Sequence, residues 1–217
     1  MTAAPTSVTP DRLRAADRRS VLHLARLHAT SRRLPAGLAV IAVCAAGLRI
    51  ALFRSWDDYG ALQMPLVFET ASAAAIAVTT ASPFGEPERA AGWRLPALRL
   101  TAVLGLTAAA VAALAVAGGS AHVAGGTLDV LRNVAGLTGI GLLCAAVLGG
   151  ALAWLGQMAY LLVALYALYT QWHGPALTTP WLWPARPPHD AGAALCAGLV
   201  FAAGLVIFTA RGARDTG

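Results

Sequence analysis

Apolar and polar positions in this chain alternate on the scale of whole helices, not of single residues. Runs rich in Ala, Leu, Val, Ile and Gly fall at about 35–53, 61–81, 97–118, 132–153, 155–172 and 191–210, with short polar stretches between them. A hydrocarbon layer of about 30 Å takes roughly 20 apolar residues as a helix. The pattern therefore predicts an all-α, polytopic membrane protein with six transmembrane helices. Ahead of them, "DRLRAADRRSVLHLARLHATSRR" (11–33) places Leu13, Ala16, Val21, Leu24 and Leu27 at near-helical spacing with Arg on the other faces. Thr9 suits a cap and Pro10 a first helical position. This predicts a cytoplasmic amphipathic helix lying on the membrane surface; the alternative is a positive tail that only orients the chain. The expected layout is an N-terminal tail and amphipathic helix over 1–34, a transmembrane domain over 35–210 and a tail over 211–217.

Composition sharpens this picture. The chain of 217 residues is 58% hydrophobic and 12% charged, where a soluble domain carries about 25% charged residues. All 16 basic residues are Arg. Without a Lys there is no GxxxxGK[ST] loop, so the chain does not hydrolyse nucleotide by that route. The net charge of +6 is spread, with seven Arg before residue 34 and the others scattered, and implies no nucleic-acid partner. Cys44, Cys144 and Cys196 each lie within an apolar run and read as small buried hydrophobes. His122, His173 and His189 lack ligand spacing and read as solvated loop residues. There is no GxSxG with a membrane His, no HExxH and no pair of carboxylates on one span, so no catalytic residue and no metal site is expected.

Arg also sets the expected orientation. Seven Arg before the first span, three in the loop over 82–99 and two in the tail stand on one side; Arg54, Arg132 and Arg186 stand on the other. The positive side faces the cytoplasm, which puts both termini there, in the cytoplasmic membrane of a bacterial cell. The longest outer loop, 173–190, alternates Trp181 and Trp183 with Leu182 among prolines, a pattern suited to a segment that dips into the membrane interface.

The loop between the second and third spans, "SPFGEPERAAGWRLPALRL" (82–100), is the most charged and proline-rich interruption between spans. Pro83 and Gly85 end the second span. Glu86 and Glu88 suit the positive end of a short helix dipole, and Arg94 and Arg99 mark the headgroup level. Phe84, Glu86, Glu88, Arg89 and Trp93 then form a compact surface, within 82–96, on which a cytosolic partner could dock. This layout resembles the membrane subunit of an ABC-2-type ABC transporter. The 11–33 segment occupies the position of that family's elbow helix, "GEPERAAGWRLPALRL" that of its coupling helix, and "PALTTPWLWPARPP" that of its re-entrant segment. The resemblance implies a permease subunit of an exporter. It also implies a second permease subunit, identical or different, around a shared path, and a separate cytosolic ATPase subunit that holds ATP-Mg and docks on the coupling loop. A stand-alone secondary transporter or channel, or a regulatory membrane anchor, is the competing reading.

Single residues complete the reading. Glu69, in "LVFETASAAAIAV", lies about 12 Å into the second span at 1.5 Å per residue. An intramembrane carboxyl has three readings: an ion pair with Arg49 locking two helices, a role with substrate or proton, or an acid that stays uncharged out of water. Gly136, Gly139, Gly141, Gly149 and Gly150 give the fourth span small-residue faces, fit for internal packing or for contact with a second subunit. The Arg asymmetry yields a direct test of orientation. A periplasm-active reporter fused at residue 217 should be silent and one fused near residue 180 active; the opposite pattern would overturn the six-span topology.

Overall fold

The computed structural model describes residues 34–54, 58–80, 95–119, 126–170 and 179–214. Six α-helices account for most of them: α1 (Leu34–Phe53), α2 (Asp58–Thr80), α3 (Leu95–Gly118), α4 (Gly126–Leu148), α5 (Leu155–Thr170) and α6 (Ala191–Arg211). Two 3-10 turns, Gly150–Leu152 and Trp183–Ala185, complete the set, and no strand occurs among the described residues. The all-α expectation holds. Five helical stretches are long and apolar enough to cross a membrane: α1, α3, α4, α6, and α5 with the turn before it. α2 is 23 residues long and is the least apolar of the six, carrying Gln63, Pro65 and Glu69.

The helices alternate in direction. Gly37 meets Thr79, and Gly47 meets Phe68, so α1 and α2 are antiparallel. Glu69 bonds Asn133 and Ala77 abuts Gly141, so α2 and α4 run parallel. Gly136 meets Ala197 and Gly139 meets Phe201, so α4 and α6 run parallel too. One end of the bundle carries the start of α4 and of α6 and is called here the Asp190 end; the other is the Arg211 end. α4 sits in the middle, packed against α2, α3, α5 and α6.

Glycine explains how α4 can occupy that place. A Cβ on Gly139 would lie 2.6 Å from both the Cα of Phe201 and the carbonyl oxygen of Val200, which are backbone atoms of α6. On the same face one turn earlier, a Cβ on Gly136 would lie 2.6 Å from the Trp183 indole, and on the opposite side, one on Gly141 would lie 2.7 Å from Ala77 Cβ. Internal packing thus takes up three of the glycines that the sequence left open between internal and subunit contact. Gly149, at φ 95°, ends α4 in a conformation that glycine adopts without steric cost.

Two boundaries differ from the expectation. α4 begins at Gly126, not near 132, because Asp129 and Arg132 pair across one turn and so can belong to a helix at the bundle end. It stops at Leu148, not near 153, and the connection to α5 spans 149–154. At the Arg211 end the chain after α6 turns back onto α4. The backbone N–H of Arg214 donates to Ala145 O (3.1 Å) and its guanidinium to Val147 O (3.4 Å). These are among the last carbonyls of α4, which have no partner within their own helix.

The core is mainly apolar, and so, unlike in a water-soluble bundle, are the outward faces. Val116 is 78% exposed and Phe53 75%, and Val43, Leu162, Tyr166, Leu195, Leu199 and Val206 also point outward. Glu69, Thr70, Ser72, Asn133, Thr138 and Gln157 are buried. The buried hydroxyls of Thr70 and Thr107 donate to the carbonyls of Leu66 (2.7 Å) and Val103 (2.8 Å), four residues back in their own helices.

The glycine contacts generate a prediction with an internal control. Gly139→Ala should destabilise the bundle by about 1–3 kcal/mol, the usual cost of overpacking a tight contact. Gly105→Ala and Gly198→Ala, where nothing lies within 4 Å of the added Cβ, should be neutral or gain up to about 1 kcal/mol from helix propensity. Detergent-unfolding titrations in mixed micelles would rank the three.

Candidate functional site

The polar side chains gather at the Asp190 end and just beneath it. Arg132, one turn and a half into α4, is 5% exposed. Its guanidinium pairs with Asp129 and donates to the carbonyls of Pro187 (2.8 Å) and Arg186 (3.1 Å). A cation anchored on α4 thus holds the chain that leads into α6. Arg186 in turn pairs with Asp190, through Nε at 2.8 Å and through its terminal nitrogen. The other Asp190 oxygen accepts from the backbone N–H of Ala193 (2.8 Å) and so caps α6. That N–H first, and the Arg186 side chain next, hold the Asp190 carboxyl below its ordinary value.

Before this clamp the chain turns into the bundle. Leu182, Trp183, Pro184 and Ala185 are buried, while Trp181 is half exposed. Trp183, 2% exposed, stacks on Tyr160 of α5 with ring centroids 4.6 Å apart and lies over Gly136 of α4. Tyr160 Oη donates to Trp181 O (2.8 Å). Counted at 1.5 Å per residue, the indole sits about 9 Å below the start of α6 and about 15 Å below that of α4. The packing reason is visible: only glycine at 136 leaves room on α4 for a ring of that size.

A level below Arg132 lies Glu69, 2% exposed. The Asn133 amide donates to its carboxyl at 2.9 Å. Further toward the Arg211 end, Gln157 of α5 is fully buried and donates to Leu137 O (2.9 Å). Asn133, Leu137 and Gly141 recur every four residues, so a single face of α4 receives Glu69, Gln157 and Ala77. Beside Arg132, a cavity of about 460 Å³ opens between α4 and α6; Leu131, Ala194 and Gly198 wall it, and His189 and Asp190 stand at its head.

The sequence named Arg49 and Glu69 as an intramembrane pair, and the structure does not bring them together as an ion pair. Arg49 donates to Ala117 O (3.4 Å) and lies over the Phe53 ring, 4.8 Å from its centroid. The physical reason is that the final carbonyls of α3 lack intrahelical donors, and α3 has no basic residue of its own in its last turn. Glu69 takes its donor from α4 instead. Asn133 escaped the sequence reading; a polar amide four residues after Asp129, on the same helical face, was the signal available. Phe84, Glu86, Glu88, Arg89 and Trp93, and the amphipathic segment over 11–33, lie outside the described residues.

Comparison with protein families, with curated proteins and with solved structures found no match to this chain. The site therefore has to be interpreted from its own geometry.

The Asp190 clamp has a pH signature. The carboxyl is held low in the folded chain, so its contribution to stability is complete well above the ordinary Asp value of 3.8 and fades as pH falls below it toward the lowered value. Asp190→Asn keeps an α6 cap but loses the charged pair, so at neutral pH its stability should fall toward the level that wild type keeps in acid, and the acid-dependent component should be gone. Asp190→Ala loses the cap as well and should be less stable than Asp190→Asn at every pH. Unfolding midpoints followed through the acid range for the three proteins would check both.

Proposed function

We propose that this chain is the membrane-spanning permease subunit of an ATP-driven exporter of the ABC-2 type. In this reading all six helices, α2 included, cross the bacterial cytoplasmic membrane, and both termini lie in the cytoplasm. The observation that carries the reading is the described stretch before α6, residues 179–185. It packs into the bundle with Trp183 buried against α4 and α5, at the place where the resemblance calls for a re-entrant segment. Two further features support it. The outward faces are apolar, as lipid requires, and the Asp190 end, which this reading places outside, holds the re-entrant chain by charged pairs near water.

The work of transport has to come from a partner, since the chain has no P-loop. The loop over 82–96 is the proposed docking surface: Glu86, Glu88 and Arg89 supply polar contacts, and Phe84 or Trp93 an apolar anchor. ATP-Mg belongs to that partner, and a second permease subunit completes the path. The apolar helices suit a hydrophobic or amphipathic cargo. One observation favours a second reading. A carboxyl buried between α2 and α4 is the kind of group that a stand-alone, ion-coupled transporter uses.

The two readings separate in one experiment. The tagged chain, solubilised from its native membrane, should bring down an ATP-hydrolysing subunit. Reversal of Glu86 and Glu88 to Arg should reduce that recovery about tenfold or more, since like charges facing each other across an interface cost several kcal/mol. The reversal also adds positive charge on the cytoplasmic side and should leave topology intact. If the wild-type chain brings down no ATPase, the exporter reading fails; if the reversed chain brings it down undiminished, the docking role of this loop fails.

A further inference from the structure

The pair formed by Glu69 and Asn133 carries an inference that stands apart from the transport reading, because it rests on donor and acceptor arithmetic. An ionised carboxylate is acceptor-only, with about four lone-pair sites to satisfy. Glu69 is buried at 2% exposure, and the single donor recorded for it is the Asn133 Nδ2 group. The basic side chains of the neighbourhood are engaged elsewhere. Arg49 is held by Ala117 O and the Phe53 ring, and Arg132 by Asp129, Arg186 O and Pro187 O. Asp129 and Arg132, the charged residues close enough to act on Glu69, are themselves a pair and so bring no net charge. The mismatch continues on the other side of the bond. Asn133 Oδ1 is buried and has no donor. One buried group is thus short of donors, and its partner holds an acceptor with nothing to accept.

A single proton resolves both. We propose that Glu69 and Asn133 together bind one proton as a carboxylic acid–carboxamide pair, in which the carboxyl O–H donates to Asn133 Oδ1 and Asn133 Nδ2–H donates to the other carboxyl oxygen. The proton comes from bulk water, and no other bond is made or broken. The second bond requires the acid and the amide to lie in one plane, with the amide N–H on the same side as its C=O making the first bond; the remaining O–H and C=O then face each other. Rotating the amide by half a turn exchanges the roles of its two atoms and leaves the count unchanged. The pair is uncharged, which suits burial between two apolar helices. It joins α2 to α4 by two bonds at once.

Infrared spectroscopy and one isosteric variant test this. In lipid nanodiscs at neutral pH, the wild-type chain should show the carbonyl stretch of a protonated carboxyl. That band should shift on exchange into D2O, vanish in Glu69→Gln, and move to higher frequency in Asn133→Leu as the carboxyl loses its partner. Gln has the shape of the protonated acid, and its amide N–H replaces the carboxyl O–H. Glu69→Gln should therefore keep the folded-to-unfolded ratio within about fivefold of wild type, whereas Asn133→Leu should lower it by about tenfold or more. A folded wild-type protein with no such band at neutral pH would overturn the proposal. A Glu69→Gln protein that fails to fold, or that loses more than this fivefold margin, would overturn it as well, because the isostere of the protonated acid would then not satisfy the site.

Discussion

The backbone contact between α4 and α6 at Gly139 is the constraint on which the rest of the bundle depends. In a core of apolar helices there is little directional attraction to choose one crossing over another, so shape decides. Gly139 lets the α6 backbone approach α4 to a distance that any side chain would forbid. Once α6 is seated there, the chain leading into it has to pass over the top of α4. Gly136, three residues earlier, leaves the space that the Trp183 ring fills. A third glycine, Gly141, admits α2 and α5 on the remaining side through Ala77 and Gln157. Three small residues, two facing α6 and one facing α2 and α5, make α4 the helix around which the others assemble.

Polar groups follow from that placement. A helix packed against four others brings its few polar side chains inward, and each then needs a partner within reach. Arg132 finds carbonyls in the 186–187 segment and a carboxylate one turn back. Asn133, on the adjacent face, finds Glu69 of α2. The two neighbours thus serve different purposes: one pins a connecting segment near the bundle end, the other joins two helices inside. Where partners are short, as at Asn133 Oδ1, the shortage itself is informative, because native interiors seldom leave such atoms alone.

Arg49 and Glu69 illustrate why a charge count along the sequence misassigned the partners. Both lie on adjacent apolar segments, both are rare inside such segments, and their charges are opposite. Pairing them assumed that charge is the strongest demand. The end of α3 presents carbonyls with no donors, and an Arg on the parallel neighbour α1 meets that demand close to the bundle surface. Glu69, deeper inside, meets a neutral amide from α4, a helix that is distant in sequence.

The all-α class and the positions of most of the described helices were legible in the sequence, because apolar runs of this length have few other stable forms and because Gly and Pro mark their ends. The short stretch around Leu182 and Trp183 was also legible as apolar, though not how deeply it inserts. Tertiary structure alone decided which helix sits at the centre, which glycines pack internally, where α4 begins and ends, and which polar side chains meet. The reason is physical. Helix formation and exclusion from water are set by residues near one another in the chain, whereas a hydrogen bond such as Asn133 to Glu69 spans 64 positions and exists only once α2 and α4 lie side by side.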